Sequence, residues 1–182
     1  MELNGETLRF IREHCKDDVR SLALQAPKYP GVDMPVALTQ IAGRQAAAEK
    51  IPSWHEEEGV LYPRHLSLEQ CSSEATARYK ASIIPEPSSG TLTDLTGGFG
   101  IDCAFLSPRF HHVTYVERQE VLCEIASHNF PLLGLNHIRI ENKDGIRHLQ
   151  EMSSVDWIFI DPARRDGHGG KTCLLYTSDA AD

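Results

Sequence analysis

The spacing of apolar residues predicts helices in the first part of the chain. Leu8, Ile11 and Cys15 recur three or four residues apart, as they do on one face of a helix. Asn4 precedes this stretch, and asparagine is a favoured residue at the N-cap of a helix. Asp17 precedes a second stretch of helical character and is expected to cap it.

Two further segments before residue 85 are also predicted to be helical. The stretch VALTQIAGRQAAAEK is rich in alanine, the strongest helix former, and it ends before Pro52. Residues 67–84 are expected to form one helix, because Ser67 and Gln70 have the spacing of a capping box and Pro85 stops it.

Two other segments show no regular period. In residues 51–65, Trp54 and Tyr62 are expected to be buried anchors of an irregular stretch. Residues 85–90, PEPSSG, form a short linker rich in proline and serine. This linker separates the helical first part from a second part with a different pattern.

After Gly90 short apolar strands alternate with helices. The stretches TLTDL, HVTYVE, HIRIEN and VDWIFID are predicted strands, with one helix between each pair. In the second of these helices, Val121, Ile125 and Leu132 are expected to lie on one side. Such alternation predicts an α/β fold with a Rossmann-like open, mainly parallel sheet of about four strands, incomplete and preceded by a helical N-terminal region.

Composition narrows the class of protein. No apolar run approaches the roughly 20 residues of a membrane span, and the N-terminus does not resemble a secretory signal. The five cysteines are scattered, which favours reduced thiols in a cytoplasmic protein and no metal site. The formal net charge of −8 does not favour nucleic acid as a partner of the whole domain, so RNA would need a local basic patch.

The segment TDLTGGFGIDCAFL is the most informative. Asp94 ends the first strand of the sheet, Gly97, Gly98 and Gly100 form a turn, and a helix begins near Ile101. Glycines let a backbone approach a ligand closely, although such a turn is also used for packing alone. Asp102 at the start of this helix is expected to act as a cap.

Two nucleotide-binding patterns fit this chain poorly. The dinucleotide fingerprint G-x-G-x-x-G, started at Gly98, would need a third glycine where Cys103 stands. The GGKT stretch at residues 169–172 does not follow a strand, as a phosphate-binding loop would.

An acid follows each of the four predicted strands: Asp94, Glu117, Asp144 and Asp161. In an open α/β sheet, ligands bind at the carboxyl ends of the strands, so these acids are expected to share one site. An acid after the second strand can accept both hydroxyls of a ribose, and Asp144 could then reach the amine of an adenine. The alternative is that each acid only caps a helix or ends a strand in solvent.

These motifs, DLTGGFG, YVER, NKDG and IFIDPARR, resemble those of class I S-adenosylmethionine-dependent methyltransferases over residues 66–172, with residues 1–65 as a helical N-terminal region. The resemblance implies S-adenosyl-L-methionine as the cofactor. It places Asp94, Thr96, Gly97, Gly98 and Gly100 at the methionine part, Glu117 at the ribose, Asp144 at the adenine, and Asp161 and Pro162 at the substrate. Thr96 stands where the commonest form of the motif has glycine, and its hydroxyl can itself form a hydrogen bond.

A narrower resemblance is to bacterial methyltransferases with a helical N-terminal region and a C-terminal domain similar to the RNA-binding THUMP module. It implies an RNA substrate. Arg164 replaces the aromatic residue that stacks on a flipped base in amino-methylating relatives. Arg164 and Arg165 could bind a phosphate or carboxylate, or be solvated loop residues. The alternatives to a methyltransferase are an NAD-dependent oxidoreductase and a non-catalytic cofactor-binding module.

The last ten residues, Cys173 to Asp182, read CLLYTSDAAD. They back-translate into DNA that resembles a transposon-end sequencing adapter, so we expect a translated adapter joined to a truncated reading frame. In the strand order of the resembled family, 3-2-1-4-5-7-6, the fourth strand would be central. Here it would be an apolar edge, and we expect the chain to be poorly soluble.

Overall fold

The computed structural model describes residues 3–85 and 90–162. The predicted adapter tail, Arg164 and Arg165 lie outside the described residues. The first part contains α1 (Gly5–Glu13), α2 (Val19–Leu24), α3 (Met34–Lys50), α4 (Pro52–Glu56), α5 (His65–Gln70) and α6 (Glu74–Ser82). The second part contains β1 (Thr91–Asp94), α7 (Ile101–Leu106), β2 (His112–Glu117), α8 (Glu120–Leu132), β3 (Ile138–Asn142), α9 (Gly145–Glu151) and β4 (Trp157–Phe159).

The four strands form one sheet in the order β3-β2-β1-β4, and every pair is parallel. Asp94, the last residue of β1, is in register with Tyr115 of β2 and with Phe159 of β4. The order of the strands reverses between β1 and β4, which makes this position a topological switch point. The predicted Rossmann-like α/β fold is confirmed.

The helix starts were predicted with mixed success. Asn4 caps α1 as predicted, since its side chain accepts a hydrogen bond from the Thr7 amide. The prediction for α2 was wrong by one residue: Asp18 is the N-cap, and Asp17 instead contacts His14 Nδ1 at 2.7 Å. Either aspartate could cap in isolation, and here the local contact with His14 occupies Asp17.

The single helix predicted over residues 67–84 was wrong, because the structure has two helices there, α5 and α6. Ser73 separates them, and its side chain accepts a hydrogen bond from the Thr76 amide as the N-cap of α6. Ser67 lies inside α5 and does not cap it. Serine competes for backbone hydrogen bonds, which favours a new helix start over continuation.

The predicted inner face of α8 was also wrong in part. Ile125 is buried, but Val121 and Leu132 are exposed. The buried side of α8 consists of Leu122, Cys123, Ile125, Ala126, Asn129 and Phe130. A polar residue, Asn129, belongs to this buried side. The spacing of apolar residues alone therefore does not identify the buried face of α8.

The described residues form two apolar cores. The smaller one lies among α1, α2 and α3 and is formed by Phe10, Leu22, Met34, Ala37 and Ile41. The larger one joins the sheet to side chains from the first part of the chain, among them Ile51, Trp54, Tyr62 and Leu68. The division at residue 65 between an N-terminal region and a methyltransferase domain stays a prediction.

Two buried amide side chains hold the extended segment before α5. Gln40 of α3 exchanges two hydrogen bonds with the Tyr62 backbone, at 2.8 and 2.9 Å. Asn129 of α8 does the same with the Leu61 backbone, at 2.9 Å for both bonds. These pairs satisfy backbone groups that would otherwise be buried without partners, and they join the helical region to the α/β part.

Trp54 and Tyr62 are buried, as predicted. The Trp54 ring packs edge-on against Phe99 with centroids 5.1 Å apart, and Tyr62 lies near the same ring. Phe99 belongs to the glycine turn after β1, so the helical region supports this turn from behind. Within the described ranges, no helix is both long and apolar enough to span a membrane.

Candidate functional site

A cleft of about 610 Å³ opens at the carboxyl ends of β1, β2 and β4 and beside the start of α9. Its lining includes all nine predicted site residues: Asp94, Thr96, Gly97, Gly98, Gly100, Glu117, Asp144, Asp161 and Pro162. The structure therefore brings together residues that are spread over 69 positions of the sequence, 94 to 162.

The glycine turn forms the floor of this cleft. A Cβ atom at Gly97 would lie 2.3 Å from the Tyr115 ring, so only glycine fits there. Gly98 has φ of 55°, in the left-handed region, and a Cβ atom there would approach no atom closer than 3.6 Å. Space for a ligand therefore remains beside Gly98.

The turn is fixed to the end of β2 by three hydrogen bonds. The Gly97 amide donates to the Val116 carbonyl oxygen at 2.9 Å. The Gly98 amide donates to Glu117 Oε2 at 2.9 Å, and the Gly98 carbonyl oxygen accepts from the Tyr115 hydroxyl at 2.6 Å. The shape of the turn is thus set by the neighbouring strand as well as by its own glycines.

Asp94 is a buried acid at the end of β1, with only 1% of its surface exposed. Its Oδ1 accepts from the Thr96 amide at 2.9 Å. Burial raises the pKa of Asp94 to about 7; the nearby charges of Asp102 and Glu117 add to this, and the hydrogen bonds from Thr96 oppose it. A bound cation in the cleft would favour the ionised form.

Glu117 is nearly buried, at 8% exposure, and lines the cleft at the end of β2. Its Oε2 accepts from the Gly98 amide, and its Oε1 accepts from the Gln119 amide at 2.8 Å. A carboxylate has about four acceptor positions, so each oxygen can accept one further hydrogen bond. This arrangement suits a ligand that offers two neighbouring hydroxyl donors.

Asp144 acts as a helix cap in the structure. Its Oδ1 accepts from the amides of Ile146 and Arg147 at 3.0 and 3.1 Å, at the start of α9. Among the described residues, no donor contacts its Oδ2. The preceding residue, Lys143, donates its amide to the Glu117 carbonyl oxygen at 3.0 Å, which holds this loop beside β2. Glu117 and Asp144 both line the cleft, at the end of β2 and just after its neighbour β3.

Asp161 lies at the rim of the cleft, just after β4, with 45% of its side chain exposed. Its amide donates to Thr96 Oγ1 at 2.7 Å, so Thr96 links the glycine turn to the end of β4. Its Oδ2 accepts from Lys80 Nζ at 2.9 Å. Pro162 follows it on the exposed side of the cleft.

Sequence reasoning missed a polar cluster behind this rim. Asp102 is not the helix cap that was expected, since Gly100 holds the N-cap position of α7. Instead Asp102 accepts from the Ser72 hydroxyl at 2.9 Å and pairs with Lys80 at 3.1 Å. No local sequence signal connects α6 with α7. Among the described residues, no group of three or more His, Cys, Asp or Glu side chains could hold a metal ion.

Among the comparisons with known proteins, only the one with solved structures gives matches. No family profile matches the chain, and no curated protein matches it. The chain is similar in structure to a protein of Porphyromonas gingivalis W83 that is named as a proposed methyltransferase, with 29% identity and a TM-score of 0.70. The match covers 87% of this chain but 40% of that protein, so the chain spans less than half of its length.

Other solved structures are less similar. A Streptococcus thermophilus rRNA methylase has 21% identity and a TM-score of 0.34, covering 38% of this chain and 41% of that one. The C-terminal domain of precorrin-6Y C5,15-methyltransferase from Rhodobacter capsulatus has 16% identity and a TM-score of 0.47, covering 52% of each chain. These two carry no argument about function. The described part of the chain has the Rossmann-like α/β fold that methyltransferases share.

Proposed function

We propose that this chain carries the cofactor-binding half of an S-adenosylmethionine-dependent methyltransferase, with the cofactor in the cleft at the carboxyl ends of the strands. The observation that carries the proposal is Glu117, a nearly buried carboxylate with unused acceptor positions beside an open glycine turn. Its position at a switch point of a parallel sheet is where such folds bind ligands. The similarity to the Porphyromonas gingivalis protein supports the same activity.

The residues of the cleft divide the cofactor among them. Glu117 would accept hydrogen bonds from the two ribose hydroxyls, and the free oxygen of Asp144 would accept one from the adenine amine. Asp94, Thr96 and the glycine turn would hold the methionine part, where an ionised Asp94 would attract positive charge. The bound cofactor supplies an electrophilic sulfonium methyl group. The chain's own residues bind and orient the cofactor and the substrate, and they exclude water.

Asp161 and Pro162 are proposed to hold the substrate. Methyl transfer is an in-line substitution, which depends mainly on the placement of the two reacting groups. The carboxylate of Asp161 and the carbonyl oxygen of Pro162 are acceptors suited to an amine that must be aligned. The bond between Thr96 Oγ1 and the Asp161 amide keeps this acceptor at a fixed place relative to the glycine turn.

RNA is the substrate class that the sequence resemblance implies. The net charge of −8 predicts weak nonspecific binding to RNA, so recognition would depend on parts beyond the sheet. Transfer of labelled methyl groups to total RNA, compared with transfer to protein and small molecules, tests this part of the proposal. Label only in protein or small molecules would contradict it. A cytoplasmic location also stays a prediction.

Calorimetry with S-adenosylhomocysteine and with NAD tests the central proposal. We expect binding of S-adenosylhomocysteine and none of NAD. We expect Glu117→Gln to weaken binding by at least about tenfold, since a hydrogen bond to a charged group contributes on the order of 1.5–3 kcal/mol. Glu120→Gln is the matched control, because Glu120 is exposed in the first turn of α8. Binding of NAD alone would favour an oxidoreductase, and binding of neither would favour a non-catalytic module.

A further inference from the structure

Lys80 of α6 is the centre of the polar cluster behind the cleft. Its Nζ lies 2.9 Å from Asp161 Oδ2, 3.1 Å from Asp102 Oδ1 and 2.9 Å from the Ser72 hydroxyl. Only 25% of its side chain is exposed. These contacts tie three elements together: α6, the start of α7 and the end of β4.

The environment keeps Lys80 charged. Burial by itself lowers the pKa of Lys80, but the hydrogen bonds and charges of Asp161 and Asp102 outweigh burial, so the pKa is raised. The ammonium group also lies 5.0 Å from the centre of the Phe159 ring, a favourable cation–π distance. Lys80 is therefore a permanent positive charge at neutral pH.

The partners of Lys80 belong to the cleft. Asp102, Phe159 and Asp161 all line it, while Lys80 lies behind them. Among the described residues, five acidic side chains line the cleft, those of Asp94, Asp102, Glu117, Asp144 and Asp161. Arg118 is a cation on the β2 side of the lining. In the part of the chain that the structure describes, Lys80 is a cation that contacts the acids on the β4 side.

We propose that Lys80 sets the charge of the substrate side of the cleft and positions Asp161, so that α6, which precedes the sheet in the chain, is part of the active site. By pairing with Asp102 and Asp161, it prevents the cleft from holding a cationic ligand too tightly. Attraction that acts only on the bound cation would deepen the ground state without assisting transfer. This inference rests on the proposed function, since it concerns a sulfonium cofactor and its neutral thioether product.

The two ligands of a methyltransferase provide the measurement, because S-adenosylmethionine carries a sulfonium charge that S-adenosylhomocysteine lacks. Kd is measured for both ligands with wild type, Lys80→Met and Lys80→Arg. Removal of one charge at the cleft should raise the preference for S-adenosylmethionine by roughly twofold to tenfold, as screened Coulomb energies indicate. Lys80→Arg should restore the wild-type preference. An unchanged ratio of Kd values in Lys80→Met would overturn the proposal.

Arg78→Met is the matched control. Arg78 lies on the same helix and also covers an aromatic ring, with its guanidinium 4.8 Å from the centre of Phe105. It pairs with Glu74 at 2.7 Å and does not line the cleft. We expect an unchanged ratio in Arg78→Met, even where the stability of the protein falls. A shift equal to that of Lys80→Met would mean that the ratio reports stability and not cleft charge.

A double substitution separates charge from structure. Adding Asp161→Asn to Lys80→Met removes one negative charge, and the preference for S-adenosylmethionine should move back toward that of wild type. Should Lys80→Met not fold, Asp161→Asn alone should lower the preference, a change of opposite sign. No movement in either variant would contradict the proposal. If wild type binds neither ligand, the proposed function fails and this inference fails with it; a wild type that binds both with an unmoved ratio refutes this inference alone.

Discussion

The four acids that follow the strands form two unlike pairs. Asp94 and Glu117, the last residues of β1 and β2, are buried and accept hydrogen bonds from the amides of the turns beside them. Asp144 and Asp161, after β3 and β4, are exposed, and their partners are a helix start and Lys80. The inner pair is part of the structure of the turns, whereas the outer pair lies on a scaffold that would fold without it.

This difference separates two tasks that one site must perform. A buried carboxylate with fixed donors is already oriented before a ligand arrives, so it loses little freedom on binding. An exposed carboxylate keeps part of its hydration. Asp161 is held by Lys80, whereas one oxygen of Asp144 has no donor among the described residues. We therefore expect substitutions of the inner pair to change stability and binding together, and substitutions of the outer pair to change binding alone.

The largest expected effect is that the stability of the folded protein depends on pH through Asp94. Its pKa is about 7 in the folded protein, above the value of 3.8 for a free side chain, so ionisation destabilises the fold. The stability contribution of the protonated group is complete below about pH 4 and is lost as the pH rises to about 7. Asp94→Asn should therefore gain stability relative to wild type by about 1.4 kcal/mol per pH unit over that window.

Chemical denaturation of both proteins at several pH values checks this prediction. The total relative gain should be on the order of 4 kcal/mol by about pH 7 and then stay constant. A stability difference between Asp94→Asn and wild type that does not vary with pH would show that the inner acid is not destabilised by burial.

Gly97→Ala should cause the next largest change in stability. The added methyl group would lie 2.3 Å from the buried Tyr115 ring, and overpacking of this kind costs about 3 kcal/mol. Gly134→Ala is the control, because Gly134 has φ of 75° but no atom within 4 Å of the new methyl group. Backbone strain alone should cost it about 1 kcal/mol. Equal losses in urea denaturation would mean that the ring contact is unimportant.

Glu117→Gln should destabilise the protein by about 2 kcal/mol, even without a ligand. The amide has one acceptor oxygen, so one of the two amides that now donate to Glu117, those of Gly98 and Gln119, is left unpaired in a nearly buried place. Thermal unfolding measures the loss. Wild-type stability in this variant would indicate that the turn does not depend on the carboxylate.

Asp144→Asn should have the smallest effect on stability, below about 0.5 kcal/mol, because asparagine and aspartate are similar N-caps. Any weakening of cofactor binding in this variant would then come from the free oxygen alone. Comparison of its unfolding curve with that of Glu117→Gln sharpens the distinction between the two pairs. A loss as large as that of Glu117→Gln would remove the distinction.

The sheet and its edge of acids were predictable because their signals are local. Each strand is a short apolar run, each acid is the last residue of its strand or lies two residues beyond it, and parallel strands bring their carboxyl ends together. These three features together predict that Asp94, Glu117, Asp144 and Asp161 lie in one cleft, as the structure has them. The cap at Asn4 and the burial of Trp54 and Tyr62 follow from equally short-range patterns.

The remaining features depend on partners that are distant in the sequence. Gln40 and Asn129 are polar residues whose burial makes sense only once the backbone between them is in place. Lys80 looks like an ordinary exposed lysine until α7 and β4 bring Asp102 and Asp161 to it. Contacts of this kind have no period and no fixed spacing, so a single sequence does not reveal them.

A crystal structure of the protein with S-adenosylhomocysteine tests the central claim most directly. We expect the nucleoside in the cleft beside Gly98, with both ribose hydroxyls within hydrogen-bond distance of the Glu117 carboxylate and the Gly98–Glu117 bond kept. A ligand bound elsewhere, or one in the cleft whose ribose does not contact Glu117, would contradict it.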